Sequence, residues 1–145
     1  MRFGLTSALL GAMIVAAPAA AMAQTDQFAG TWAFQTENYG NATTVTTLAG
    51  AAIISPKSGD KYDVQLVAFE AWSKPGAPAD ISNARENCDG TLSGQQLTVK
   101  CTVTDVVNSK NYKPDDFVLT VVDADHLSGP MNSYSTSTAK FTRVR

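Results

Sequence analysis

Few side chains in this 145-residue chain are suited to ligate, transfer or capture anything, and they form three groups. Cys88 and Cys101 are the only thiols, and His126 is the only histidine, closing the run Asp123-Ala-Asp-His126. The third group is the carboxylates Glu70, Glu86 and Asp105, which interrupt segments of Val, Leu and Ala. A triad or a metal centre at Asp-Ala-Asp-His would need a positioned nucleophile or further ligands, and nothing nearby supplies them. The run reads instead as a polar hairpin turn. No catalytic constellation emerges, so an enzyme, a cofactor and a metal are not expected. The acids ask for more explanation. A carboxylate facing a protein interior must be paired, protonated or at a wet opening.

The cysteines fix a geometry. A two-residue turn at Gly94-Gln95 pairs the flanking residues outward, Ser93 with Gln96, Leu92 with Leu97, Gly90 with Val99 and Asp89 with Lys100. Gly-X turns match the twist of tight hairpins. Cys88 then faces Cys101 at a non-hydrogen-bonded pair, where Cα atoms lie about 4.5 Å apart and a disulfide fits. Extending the register sets Glu86 opposite Val103 and Asp105 opposite Ala84, which makes the two acids diagonal neighbours on the inner face.

The ends support an oxidised pair. Arg2, the apolar run Leu5 to Ala17 and Ala21-Met22-Ala23 read as a secretory signal with its cleavage site. The apolar run is too short to read as a membrane span. Removing 23 residues from 145 leaves a chain of 122 beginning near Gln24. Its alanine-rich signal suggests a bacterial periplasm, or the medium, and both oxidise thiols. Loss of Arg2 moves the formal charge from −2 to −3, with no basic stripe to meet nucleic acid. A length of 122 residues is one domain, expected to be monomeric.

Thr, Val and Ser dominate, and helical periodicity is absent. Eight strand-like segments lie between turn signals, at 31–37, 43–55, 62–72, 81–89, 96–107, 116–123, 126–134 and 138–144. Asn38-Tyr-Gly-Asn41 and Asp115-Asp116 read as turns, and Ser73 to Asp80 as an exposed loop. Eight short antiparallel strands suggest an up-and-down meander closed into a barrel, which removes both edges. Alternation puts Trp32 and Phe34 inward, then Tyr62, Val64, Leu66, Ala68, Glu70 and Trp72, then Phe117, Leu119 and Val121. Ala49-Gly-Ala-Ala52 either leaves interior space or marks a bulge.

Phe28-Ala-Gly-Thr-Trp32 opens the first strand and Lys140-Phe-Thr-Arg143 closes the last. These two motifs resemble the calycins, the lipocalins and related small β-barrels. The resemblance implies that Gly30 and Trp32 begin the barrel and that Arg143, or alternatively Arg145, covers Trp32 at the closed end. The chain is shorter than typical lipocalins and shows no helix before its last strand. Small exported bacterial barrels, including lipocalin-like protease inhibitors, match its length better.

The expectation is therefore an all-β, eight-stranded antiparallel, calycin-like barrel with one hairpin disulfide. Its leading function is non-catalytic binding of a small, partly apolar ligand in the barrel mouth by Tyr39, Phe69, Trp72, Glu86 and Asp105. The alternative is a protein-binding module, such as an inhibitor of an exported enzyme. The inward acids are either solvated strand ends or a polar rim that selects a cationic or hydrogen-bonding ligand.

Overall fold

The structure, a computed structural model, describes residues 26–145, so the signal and cleavage site expected at 1–23 lie outside the described residues. Among the described residues there is no helix, and alternation of buried and exposed side chains marks most of the nine strands. They are β1 (Gly30–Thr36), β2 (Tyr39–Asn41), β3 (Thr44–Pro56), β4 (Lys61–Ser73), β5 (Asp80–Ser93), β6 (Gln96–Val107), β7 (Asp116–Asp123), β8 (His126–Asn132) and β9 (Thr136–Arg143). Each pairs antiparallel with the next along the sheet, and β1 pairs with both β9 and β3, closing an eight-stranded barrel.

Nine segments make eight staves because β1 and β2 are successive halves of one. Both run along β3, from Gly30↔Ile54 to Gln35↔Ala49 and from Tyr39↔Thr46 to Asn41↔Thr44. Between them the Thr36 hydroxyl takes over the ladder. It accepts from the Leu48 N–H at 3.0 Å and donates to the Leu48 carbonyl at 3.3 Å. The turn expected at Asn38–Asn41 is thus largely strand. The chain reverses at Ala42-Thr43 instead, because the Asn41 side-chain oxygen accepts from the N–H groups of Thr43 and Thr44 at 2.9 and 3.0 Å.

The β5–β6 hairpin keeps the register set by the turn, with Ser93↔Gln96, Leu92↔Leu97 and Cys88↔Cys101. The two cysteines are joined in a disulfide with Cα atoms 4.0 Å apart. Beyond Glu86↔Val103 the register slips, and Arg85 faces Asp105. Thr104 is the extra residue of a bulge, its hydroxyl donating to the Arg85 carbonyl at 3.0 Å. A bulge reverses the alternation after it. Asp105 therefore points outward and is exposed, contrary to the inward position expected from an unbroken ladder.

The closed end is densely filled. Trp32 is 0% exposed, its indole N–H donates to the Phe28 carbonyl at 2.9 Å, and the Arg143 guanidinium lies 4.1 Å from its ring centroid. Arg143 also donates to the carbonyls of Ala29 (2.7 Å), Gln27 (2.9 Å) and Ala124 (3.0 Å). Gly30 is required here. Its φ of 141° disfavours a side chain, and a Cβ would collide with the guanidinium. Above this layer Phe34, Phe117 and Phe141 pack mutually with centroids 5.0–5.7 Å apart. Ala49-Gly-Ala-Ala52 marks neither a bulge nor empty space. The β3–β4 register runs unbroken, and Gly50 makes room for the Phe34 ring opposite.

Two measurements test this frame. Trp32→Ala should cost about 3–5 kcal/mol by chemical denaturation, through lost core packing. An unchanged midpoint would mean that the closed end is misassigned. Replacing both cysteines with serine should remove about 3 kcal/mol, the loop-entropy value for a crosslink of this span. Unreduced, unfolded protein should titrate as free of thiols.

Candidate functional site

The wall and the roof of the barrel mouth come from strands of unequal length. β4 and β5 have 13 and 14 residues, whereas β7 and β8 have 8 and 7. β6 pairs with β7 only through Gln96–Val99, so its upper half extends past the start of β7. From the top of β6 the connection 108–115 crosses towards β7. Between that connection, the β2–β3 turn and the β8–β9 turn lies a cavity of about 510 Å³. Tyr39, Thr46, Glu70, Trp72, Ser109 and Tyr134 are among its lining residues.

Glu70 stands in the wall because β4 alternates without fault from Tyr62 to Glu70. It is 8% exposed, and its Oε1 accepts the Tyr39 hydroxyl at 3.0 Å. Burial raises the Glu70 carboxyl above its ordinary range; the Tyr39 hydrogen bond opposes this and the nearby Asp115 adds to it. Tyr39 is pushed strongly up in turn, first by burial and then by Glu70, so it stays a hydrogen-bond donor at any physiological pH.

Deeper lies a second group. Glu86 is 1% exposed and Asp115 0%. The Asp115 N–H donates to Glu86 Oε2 at 3.1 Å, and the Tyr112 hydroxyl donates to Asp115 Oδ2 at 2.6 Å. Glu86 Oε1, Asp115 Oδ1 and the hydroxyl of fully buried Ser82 lack hydrogen-bond partners. Desolvation, then the charge of Asp115, pushes the Glu86 carboxyl up to about 9. Asp115 is raised as well, chiefly by burial. At neutral pH the pair holds a proton, the expected state for two acids sharing a dry site. Glu86 also sits beside Cys88 and Cys101, the one grouping of metal-ligand types among the described residues. The disulfide removes both sulfurs from ligation.

Of the ligand-facing residues expected from sequence, Tyr39 and Trp72 line the mouth cavity and Glu86 lies buried below it. Phe69 does not belong with them. It falls on the odd positions of β4, points outward and is 51% exposed. Asp105 is excluded by the bulge. The acid that faces Glu86 is Asp115, read from sequence as part of a turn. Its position was legible, since Phe117, Leu119 and Val121 share the inner face and stepping back by two gives Asp115. Tyr112 and Tyr134, both in connections, carry no periodic signal. His126 sits at the opposite end of the barrel, exposed, with Nδ1 2.7 Å from Asp123.

The raised carboxyl has a measurable consequence. The folded protein binds more protons than the unfolded chain between the ordinary carboxyl range and about pH 9, so stability falls as pH rises through that window. Glu86→Gln keeps the shape and removes the titration. Its thermal midpoint should decline less from pH 5 to pH 9 than that of the parent. Parallel declines in the two proteins would place the proton elsewhere.

No protein-family model matches the chain, and no curated protein does either. Solved structures do match. A redesigned β-barrel, mFAP1, bound to DFHBI, is 13% identical, with a TM-score of 0.56 over 81% of this chain and 95% of that one. A second redesigned β-barrel, b11L5F_LGL, is 16% identical, with a TM-score of 0.50 over 82% of this chain and 93% of that one. At these identities the likeness is one of fold, and the fold that this chain shares with them is the closed antiparallel β-barrel.

Proposed function

We propose that this chain is an exported, non-catalytic binding protein of calycin type that holds a small, partly apolar ligand in its barrel mouth. The mouth cavity carries the reading. It has about 510 Å³, aromatic and hydroxyl side chains around it, and a filled core beneath. Ligand sites are concave, mostly apolar and furnished with a few placed polar groups. The likeness to a barrel bound to a small molecule, DFHBI, agrees with this reading. Export is supported by the signal-like 1–23 and by a cysteine pair that is oxidised. Tyr39, Thr46, Trp72 and Tyr134 contact the ligand, and Glu86 with Asp115 sets the polarity of the floor.

A protein-binding role is the second reading. The observation favouring it is an outward apolar patch of Val67, Phe69, Ile81 and Val107 on β4, β5 and β6. Fragment screening by NMR separates the two. Binders should shift the signals of Tyr39, Thr46, Trp72 and Tyr134, and Trp72→Ala should weaken them by about tenfold or more, the scale of a lost aromatic contact. Shifts confined to Phe69, Ile81 and Val107 would transfer the function to the outer face.

A further inference from the structure

The side chains around the mouth also define the charge of its occupant. One carboxylate, Glu70, and three aromatic rings, Tyr39, Trp72 and Tyr134, line the cavity, and among the described residues no Lys, Arg or His does. Glu70 is more than nine-tenths buried, yet no cation lies within ion-pair distance of it among the described residues. One of its oxygens takes the Tyr39 hydroxyl at 3.0 Å, and among the described residues no donor is hydrogen-bonded to the other. A buried carboxylate without a counter-ion is costly. The two acids below it, Glu86 and Asp115, share a proton and supply no positive charge, and they are likewise without an ion-pair partner among the described residues. The lysine closest in sequence to this floor, Lys113, lies with its ammonium 5.1 Å from the Tyr134 centroid and does not line the cavity. Aromatic faces attract cations through the ring quadrupole, and a desolvated site strengthens that attraction.

We infer that the mouth selects a small organic cation, an ammonium group carried on an apolar body, with Glu70 as its counter-ion and Tyr39, Trp72 and Tyr134 as its aromatic wall. This rests on the mouth being the ligand site and adds the class of ligand. Anionic ligands are repelled by the Glu70 carboxylate. A neutral apolar molecule fills the same volume but leaves the Glu70 carboxylate without a counter-charge. The ammonium enters from solvent, and no lid or covalent step is involved.

Three probes of one shape class test the assignment on the intact protein: benzyltrimethylammonium, its uncharged carbon isostere neopentylbenzene, and the anion 3-phenylpropionate. Affinities come from titrations followed by the Trp72 indole N–H resonance. The cation should bind about tenfold or more tighter than either competitor, with an advantage that shrinks as salt rises. Glu70→Gln, which keeps the side-chain shape, should cut cation affinity about tenfold and leave the neutral isostere unchanged. Comparison of the three probes on the parent protein decides the matter even if the variant does not fold. If the isostere or the anion binds as tightly as the cation, the ligand class is wrong while the mouth remains a binding site. If none of the three moves the Trp72 resonance, the mouth is not the site and the assignment falls with it.

Discussion

β1 carries hydrogen-bond ladders on both sides, to β3 and to β9, and this double pairing turns a meander into a barrel. The join is secured where Arg143 covers Trp32 and donates to backbone carbonyls of the incoming chain. Asp26 adds to the same seal, accepting from the Phe28 N–H at 3.0 Å and from the Tyr62 hydroxyl at 2.8 Å. Without closure, β1 and β9 would each present a row of unpaired backbone groups. With closure, the interior divides into a lower half packed with aromatic and aliphatic side chains and an upper half where polar side chains join the aromatic ones.

That division explains why one end can hold a ligand and the other cannot. At the closed end each inward position is large or is matched to a large neighbour, as Gly50 is to Phe34. Towards the mouth the inward residues become Thr46, Glu70, Ser82 and Glu86, all of them polar. The polarity is anchored, because Asp115 ties the 108–115 connection to Glu86 while Tyr112 holds Asp115. The acids are therefore part of how the roof is attached as well as of the field in the mouth.

The features legible in the sequence were those with a local cause. Gly94-Gln95 sets a turn, the turn sets the ladder, and the ladder sets the partner of Cys88. The terminal motifs brought Trp32 and Arg143 into view because strand one must meet strand eight in any closed meander. Legibility stopped where a local irregularity intervened. One extra residue at Thr104 moved Asp105 from the inner face to the outer, and no turn signal or composition marks that bulge. Asp115 was hidden by its neighbours Pro114 and Asp116, which look like a turn, although the spacing from Phe117 already placed it inward. Tyr112 and Tyr134 depend on how two connections fold over the mouth, a tertiary outcome that periodicity does not encode.

Arg143 reaches the carbonyls of Ala29 and Gln27 across sequence separations of 114 and 116 residues. Hairpins such as β5–β6 can form as soon as their own residues are available, whereas the join between first and last strands closes a loop nearly as long as the domain. Completion of the barrel thus waits for β9. A nascent or truncated form lacking its last strand has no partner for the outer edge of β1 and no cover for the Trp32 indole. The last strand acts as a checkpoint on the first, and a barrel built this way closes only once β9 is in place.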